Sequence, residues 1–275
     1  MIRNALTIDV EDYFQVSAFS GHIPRSSWED LPCRVERNVD RILALLDKNQ
    51  IKATFFTLGW IAERYPSMVK RIVESGHELA SHGYAHHRVT ELNREQFYED
   101  VTRSKALLED ISGQPVKGYR APSFSINGDN LWALENLEMA GYRYSSSIYP
   151  VKHDHYGMPN APRFAFTPDN TQKLLELPVT TVSFFGRNFP AGGGGYFRLW
   201  PYVASRWFLQ RVNRVDHQPA IFYFHPWEID PDQPRQTGIS FKTRFRHYLN
   251  LGRMEKRLDL LARHFSWGRM DQIFL

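Results

Sequence analysis

A single cysteine, Cys33, stands in the 275 residues. An intramolecular disulfide is excluded, and so is a metal centre built on several thiolates; any metal must be held by His, Asp and Glu. Charge of one sign is scarcely in excess: 34 Lys and Arg against 30 Asp and Glu leave a formal net charge of +4. The pI near 9.1 therefore does not announce the clustered basic stripe of a nucleic-acid binder, and no such partner is expected. No window reaches the ~18 uncharged residues of a membrane span. The N-terminus, MIRNALTIDVEDYF, meets Asp9 before a signal-peptide core could form. As read, that predicts a cytoplasmic chain while leaving an extracytoplasmic one open.

What is present is the composition of an ordinary globular protein, 42% hydrophobic and 23% charged. The length admits one large domain or two small ones, and a single α/β barrel would use all of it. Short apolar runs alternate with amphipathic stretches, the pattern of βαβ units. Strands are expected at Ala5–Asp9, Ala53–Leu58, Glu78–Ser81, Gly118–Arg120, Arg143–Ser147, Leu174–Val182 and Ala220–Phe224. Helices are expected at Val35–Asn49, Trp60–Ser75, Asn93–Ile111 with Asn93 as N-cap, Asp129–Ala140 and Thr243–His264. No repeat or low-complexity linker interrupts the order, which favours one domain. Two stretches break the alternation: the proline-rich Tyr149–Gln172, which reads as a lid, and Gly192–Gly195, which reads as irregular loop.

The polar residues gather where the strands end: Asp9, Glu11 and Asp12 after the first, His82 and His86 after the third, Arg120 after the fourth, His225 after the last. In a barrel of parallel strands that edge carries the active site, because loops from separate strands converge there. His82 and His86, four residues apart, can aim two imidazoles at one ion, and a carboxylate from Asp12 or Glu11 would complete a three-ligand site with an open position. A second carboxylate nearby could take a proton from an activated water. The plainer alternatives are surface or core histidines, and acidic residues favoured at a helix N-terminus.

Five stretches fall in order along the chain: TIDVED at 7–12, SHGYAH at 81–86, YRAPSF at 119–124, YRYSSSIYP at 142–150 and FYFHPWEID at 222–230. In these the sequence resembles the polysaccharide deacetylases, carbohydrate esterase family four, also known as the NodB-homology domain. The stretch HPWEIDPDQPR at 225–235 and the helix after it resemble the subgroup found with exosortase-linked and other exopolysaccharide loci. The resemblance implies a distorted (β/α)7-type barrel in a single domain. Its catalytic part would run over 1–235, with a helical extension over 236–275 packed on it. It implies a hydrolase that removes acetyl groups from N-acetylated amino sugars with a divalent metal, usually zinc.

Carried over by position, Asp9 is the general base, Arg120 the arginine that orients it, His225 the general acid, and His82 and His86 the metal histidines. Asp12 is the preferred metal carboxylate and Glu11 the second choice. Ser123 falls where a backbone N–H stabilises the oxyanion. Three departures stand out: the usual adjacent aspartates are stretched to Asp9-Val10-Glu11-Asp12, Ser145 replaces a frequent aspartate, and Ala121 replaces a proline. Tyr13, Phe14, Tyr149, Tyr196 and Trp227 are candidate sugar platforms, since flat rings suit the apolar faces of sugars. Two other functions stay open: hydrolysis of a non-sugar C–N bond, as in allantoinase-like or imidase-like relatives, and carbohydrate binding without turnover. The glycan, its chain length, the native metal and the oligomeric state are not legible.

Overall fold

The computed structural model describes residues 2–152 and 157–275. In chain order the principal elements are β1 (Arg3–Val10), α1 (Val35–Lys48), β2 (Thr54–Thr57), α2 (Gly59–Arg64), α3 (Pro66–Glu74), β3 (Glu78–Ser81) and α4 (Arg94–Ser112). There follow β4 (Gly118–Tyr119), α5 (Trp132–Met139), β5 (Tyr144–Ser145), β6 (Leu175–Glu176), β7 (Thr181–Phe184) and β8 (Arg187–Pro190). The chain closes with α6 (Gly194–Leu199), α7 (Tyr202–Arg214), β9 (Ile221–Phe224), α8 (Phe241–Tyr248), α9 (Leu251–His264), β10 (Ser266–Gly268) and α10 (Met270–Phe274).

Eight strands form one parallel sheet, in the order β10-β1-β2-β3-β4-β5-β6 with β9 also on β1. β1 therefore sits at the centre. Thr7–Val10 pair with Thr54–Thr57 on one edge; on the other, Arg3–Ala5 pair with β10 and Ala5–Ile8 with β9. The period of two sorts its side chains. Leu6, Ile8 and Val10 pack outward with Val35, Val39, Ile42 and Leu46 of α1, while Ala5 lies inside with Phe56, Ala80, Tyr144 and Ile221. Between β6 and β9 the barrel is completed by loop residues: Ile221 N donates to the Thr180 side-chain Oγ1 (2.6 Å) and Tyr223 N to the Gly192 carbonyl (2.7 Å). The result is the expected α/β barrel, distorted on that side.

Several details differ from the sequence reading, each for a local reason. The helix expected over Trp60–Ser75 is two, because Pro66 opens α3 at its first position, where its missing N–H costs nothing. The helix expected over Thr243–His264 is broken by Asn250, at φ 53°. Leu174–Val182 divides between β6 and a separate antiparallel hairpin, β7–β8. Residues 236–275, expected as a helical extension, also supply β10, hydrogen-bonded beside β1.

Gly192–Gly195 is not simply irregular, since α6 begins at Gly194. The close approach these glycines permit is internal. A Cβ on Gly193 would meet the Tyr223 ring and one on Gly194 would stand 2.3 Å from Glu228 Oε1, whereas Gly195 faces open space. Gly194→Ala is accordingly expected to lower stability by about 1–3 kcal/mol, and Gly195→Ala to leave it unchanged or slightly raised. Urea midpoints of the two variants check this, and equal midpoints would remove the steric account.

The Tyr149–Gln172 stretch does not cap the barrel mouth where it is described. Tyr149 and Val151 are buried, Phe166 bridges to Glu176, and the Glu138 carboxylate accepts the N–H groups of Gln172, Lys173 and Leu174. His153, His155 and Tyr156, part of the lid reading, lie outside the described residues.

Candidate active site

All the parallel strands end at one edge, and the candidate residues meet there around a cavity of about 490 Å³. Its walls include Asp9, Glu11, His82, His86, Ser123, His225 and Trp227. Asp9 ends the inward-facing row of β1. Arg120, directly after β4 and fully buried, spans the barrel interior to hold it: one guanidinium nitrogen donates to Asp9 Oδ1 (2.6 Å) and to Thr7 Oγ1 (2.8 Å). The others donate to the Ser146 carbonyl (3.2 Å) and Ser146 Oγ (3.0 Å). With every arm engaged, Arg120 fixes the carboxylate and compensates its charge inside the barrel.

Glu11, His82 and His86 place one ligand atom each within 4.8 Å of one another, and all three are buried. His86 Nε2 lies 2.8 Å from Glu11 Oε2. His82 Nδ1 sits 2.8 Å from the Arg120 carbonyl. A carbonyl only accepts, so Nδ1 carries the proton and Nε2 presents its lone pair, the arrangement by which an outer partner orients a ligating histidine. Burial opposes ionisation of Glu11, but His86, His225 and His82 outweigh it and hold the carboxyl down to about 2. Burial pushes the His82 imidazole down to about 4, so it is neutral as a ligand must be. The loop is clamped from outside by Arg25, which donates to the carbonyls of Ala85 (2.8 Å) and His86 (3.0 Å).

Asp12 is not in this cluster, which corrects the preferred ligand choice. Its carboxylate accepts the backbone N–H groups of Arg34, Val35 (2.8 Å) and Tyr13 (2.7 Å) and the Cys33 thiol (3.0 Å). It thus closes the N-terminus of α1, where unsatisfied N–H groups and the helix dipole favour a carboxylate. The plainer reading of an acidic residue after a strand holds for Asp12, and the metal reading passes to Glu11.

His225, at the end of β9, reaches both carboxylates: its Nε2 is 3.4 Å from Glu11 Oε1 and 4.0 Å from Asp9 Oδ2. Its Nδ1 meets Glu228 Oε1 at 2.8 Å. Burial would lower its pKa, but Glu11, Glu228 and Asp9 outweigh it and raise it to about 9. Glu228 was missed in the sequence, although a histidine followed three residues later by glutamate is a readable capping box, and the structure forms it. Also missed was Arg198, fully buried, whose Nε donates to Glu228 Oε2 (2.7 Å). Glu228, of the same segment, holds the His225 ring. Ser145 Oγ instead bonds Ser147 Oγ at 2.8 Å.

The aromatic candidates divide. Tyr13 and Phe14 are core. Tyr149 is fully buried against Phe124 (5.4 Å) and is not a sugar platform. Tyr196 lies in α6 and does not line the cavity. Trp227 does line it, but as a buried support: its ring lies between His225 (5.2 Å) and His247 (4.3 Å), and its Nε1 donates to Glu11 Oε1 (3.2 Å). Ser123 lines the cavity with φ 56°, followed by Phe124 at 51°, a left-handed pair that non-glycine residues adopt only when their surroundings impose it. The rim adds residues not foreseen from sequence, His22, Arg88, Lys242 and Arg246.

Comparison with known proteins places this geometry. Residues 26–143 match the family described as "Polysaccharide deacetylase", and residues 146–275 a domain of unknown function, DUF3473. A peptidoglycan-N-acetylglucosamine deacetylase of Bacillus cereus is 34% identical over 96 residues, covering 34% of this chain and 35% of that one. A peptidoglycan deacetylase of Helicobacter pylori is 28% identical over 140 residues, covering 48% and 47%. The chain thus spans less than half the length of these curated relatives. Among solved structures, a provisionally assigned polysaccharide deacetylase of Mycobacterium smegmatis superposes with TM-score 0.63 at 18% identity, over 98% of this chain and 88% of that one. A Bacillus anthracis pseudoenzyme of carbohydrate esterase family four does so with TM-score 0.51 at 16% identity, over 98% and 64%. The two matched regions share one sheet: β1, which precedes both, pairs with β2 of the first and with β9 and β10 of the second. Residues 26–143 thus match the polysaccharide deacetylase family, and the region matched as DUF3473 contributes the later strands and His225.

Proposed function

We propose that this protein is a metal-dependent N-deacetylase acting on an N-acetylated glycan, with N-acetylglucosamine oligomers as the substrate class its curated relatives' names suggest. The observation that carries this reading is the convergence of Asp9, Glu11, His82, His86 and His225, drawn from separate strand ends, on one cavity, with Arg120 holding Asp9 from behind. The residues present suit a divalent cation. Glu11 Oε2 is buried 2.8 Å from His86 Nε2 in a geometry that completes no hydrogen bond, and such a close buried pair is costly unless something positive meets it. Two imidazoles and a carboxylate are the donor set zinc takes with an open position, though cobalt, nickel and iron also accept it.

When bound by Glu11, His82 and His86, such an ion would supply a Lewis acid for an acyl carbonyl and lower the pKa of a water. The rest falls to the chain. Asp9, fixed by Arg120, receives the proton from the attacking water. The left-handed turn at Ser123 presents backbone toward the cavity as a donor for the oxyanion. His225 protonates the departing amine nitrogen from Nε2, because Glu228 occupies Nδ1.

The test is acetate release from N-acetylglucosamine oligomers by zinc-loaded protein. Asp9→Asn and His225→Ala are each expected to lower turnover at least about 100-fold while circular dichroism stays unchanged. Wild-type protein as inactive as these variants on several acetylated glycans would leave a binding protein, as the pseudoenzyme neighbour illustrates. Ring opening of a small cyclic ureide in place of acetate release would move the activity to the other C–N bond class.

A further inference from the structure

The small net charge of the chain hides an uneven distribution. Between Glu176 and Asp216 the sequence contains no acidic residue and five arginines, together with nine aromatic residues. This segment folds as β7, β8, α6 and α7. One of its arginines, Arg198, is spent on Glu228 inside the protein. Arg187 and Arg214 are exposed, and Arg206 and Arg211 partly so.

The same segment exposes large apolar side chains. Phe185, at the tip of the β7–β8 hairpin, is 103% exposed, Val203 71%, Val215 56% and Trp207 50%. They are parts of one surface. Phe184, beside the tip, stacks on Trp207 of α7 (5.5 Å, 6° between planes), and the Arg211 guanidinium lies 5.0 Å over the Phe184 ring. Val203, Trp207 and Arg211 are spaced by four along α7 and so share a face. Continuous exposed apolar surface of this kind marks an interaction site.

We propose that this face docks on a bilayer containing anionic lipid, with Phe185 and Trp207 entering the headgroup boundary and the arginines meeting the headgroups. The occupant follows from charge and shape. A two-fold contact with a second copy would set arginines against arginines with no acid of this segment to answer them. Aliphatic Val203 and Val215 beside the rings suit the acyl boundary better than stacked bases. Aromatic and aliphatic residues on one side with long cations around them is the composition of a face that lies in a membrane interface. No described helix is long and apolar enough to cross a membrane, so this is attachment and not insertion. The inference stands apart from the deacetylase reading, since none of these residues lines the cavity.

The experiment is co-sedimentation of the full chain with phosphatidylcholine vesicles, with and without about one third phosphatidylglycerol. Wild-type protein is expected to pellet with the anionic vesicles at least about tenfold more tightly than with the neutral ones, and to be released as salt rises from about 0.1 to about 0.5 M. Phe185→Ser is expected to weaken binding about tenfold, and Arg187→Gln with Arg214→Gln by at least about tenfold. All three side chains are exposed, so melting temperature and acetate release from a soluble oligomer should not change. Protein left in the supernatant with anionic vesicles overturns the proposal, as does binding by both variants as tight as that of the wild type. Binding to single-stranded DNA but not vesicles would assign the face to nucleic acid, and a concentration-dependent dimer abolished by Phe185→Ser would assign it to a second copy; either sinks the bilayer reading.

Discussion

Glu11→Gln is expected to lower zinc affinity at least about 100-fold, with acetate release falling alongside, while Asp12→Ala keeps its metal and loses stability. The two side chains are neighbours in sequence, yet their surroundings assign them opposite work. Glu11 lies among His82, His86 and His225, with imidazole nitrogens 2.8 Å from one of its oxygens and 3.4 Å from the other. Taking a charged ligand from a three-ligand site should exceed the roughly 10–100-fold that loss of an outer partner costs. Asp12 accepts three backbone N–H groups and a thiol at the start of α1. Its truncation strands those donors, at about 2–4 kcal/mol when a cap and buried partners are lost together. Metal content by elemental analysis and urea melts of both variants decide. Metal lost from Asp12→Ala but kept by Glu11→Gln would reverse the assignment.

How the two were confused shows what sequence carries and what it does not. The apolar run of β1 and the histidine pair were legible because strand period and ligand spacing are local properties. The helix start at Asn93 was legible too: its side chain accepts from Gln96 N, and Gln96 answers, as the capping box predicts. For the carboxylates a signal existed in the period of two, since Glu11 is two residues from Asp9 and Asp12 three. That Asp12 caps α1 depends on Arg34 and Val35 arriving beside it, a tertiary event with no local mark. β10 is three residues long and has no period to read; only its pairing with β1 makes it a strand. Helix α7 escaped notice because its exposed Val203 and Trp207 blur the apolar stripe. That same blurring marks its outer face as a surface for a partner. Tyr149 illustrates the converse, a ring whose sequence neighbours suggest an open mouth and whose burial is set by Phe124 and Tyr223 from distant parts of the chain.

Glu228→Gln is expected to reduce acetate release by on the order of 100-fold or more and to destabilise the fold by about 3–5 kcal/mol. Glu228 is fully buried between two cations, with Oε1 on His225 Nδ1 and Oε2 on Arg198 Nε. Arg198 and His225 outweigh burial and keep its carboxyl below the ordinary range, so it is an anion in the folded protein. The amide cannot answer both partners: its oxygen can serve one, and its NH₂ then faces the other, a donor against a donor. The stability loss comes from Arg198, which also donates to the carbonyls of His247 (2.9 Å) and Leu249 (2.7 Å) and ties α8 to the barrel. The activity loss comes from His225, whose ring would no longer be held with Nε2 toward the cavity. The double variant Glu228→Gln, Arg198→Met separates these effects. It removes the uncompensated Arg198 charge but also that residue's bonds to the His247 and Leu249 carbonyls, so part of the stability should return while acetate release stays low. If activity returns with stability, Glu228 supports the fold alone, and the orientation of His225 must come from its stacking on Trp227.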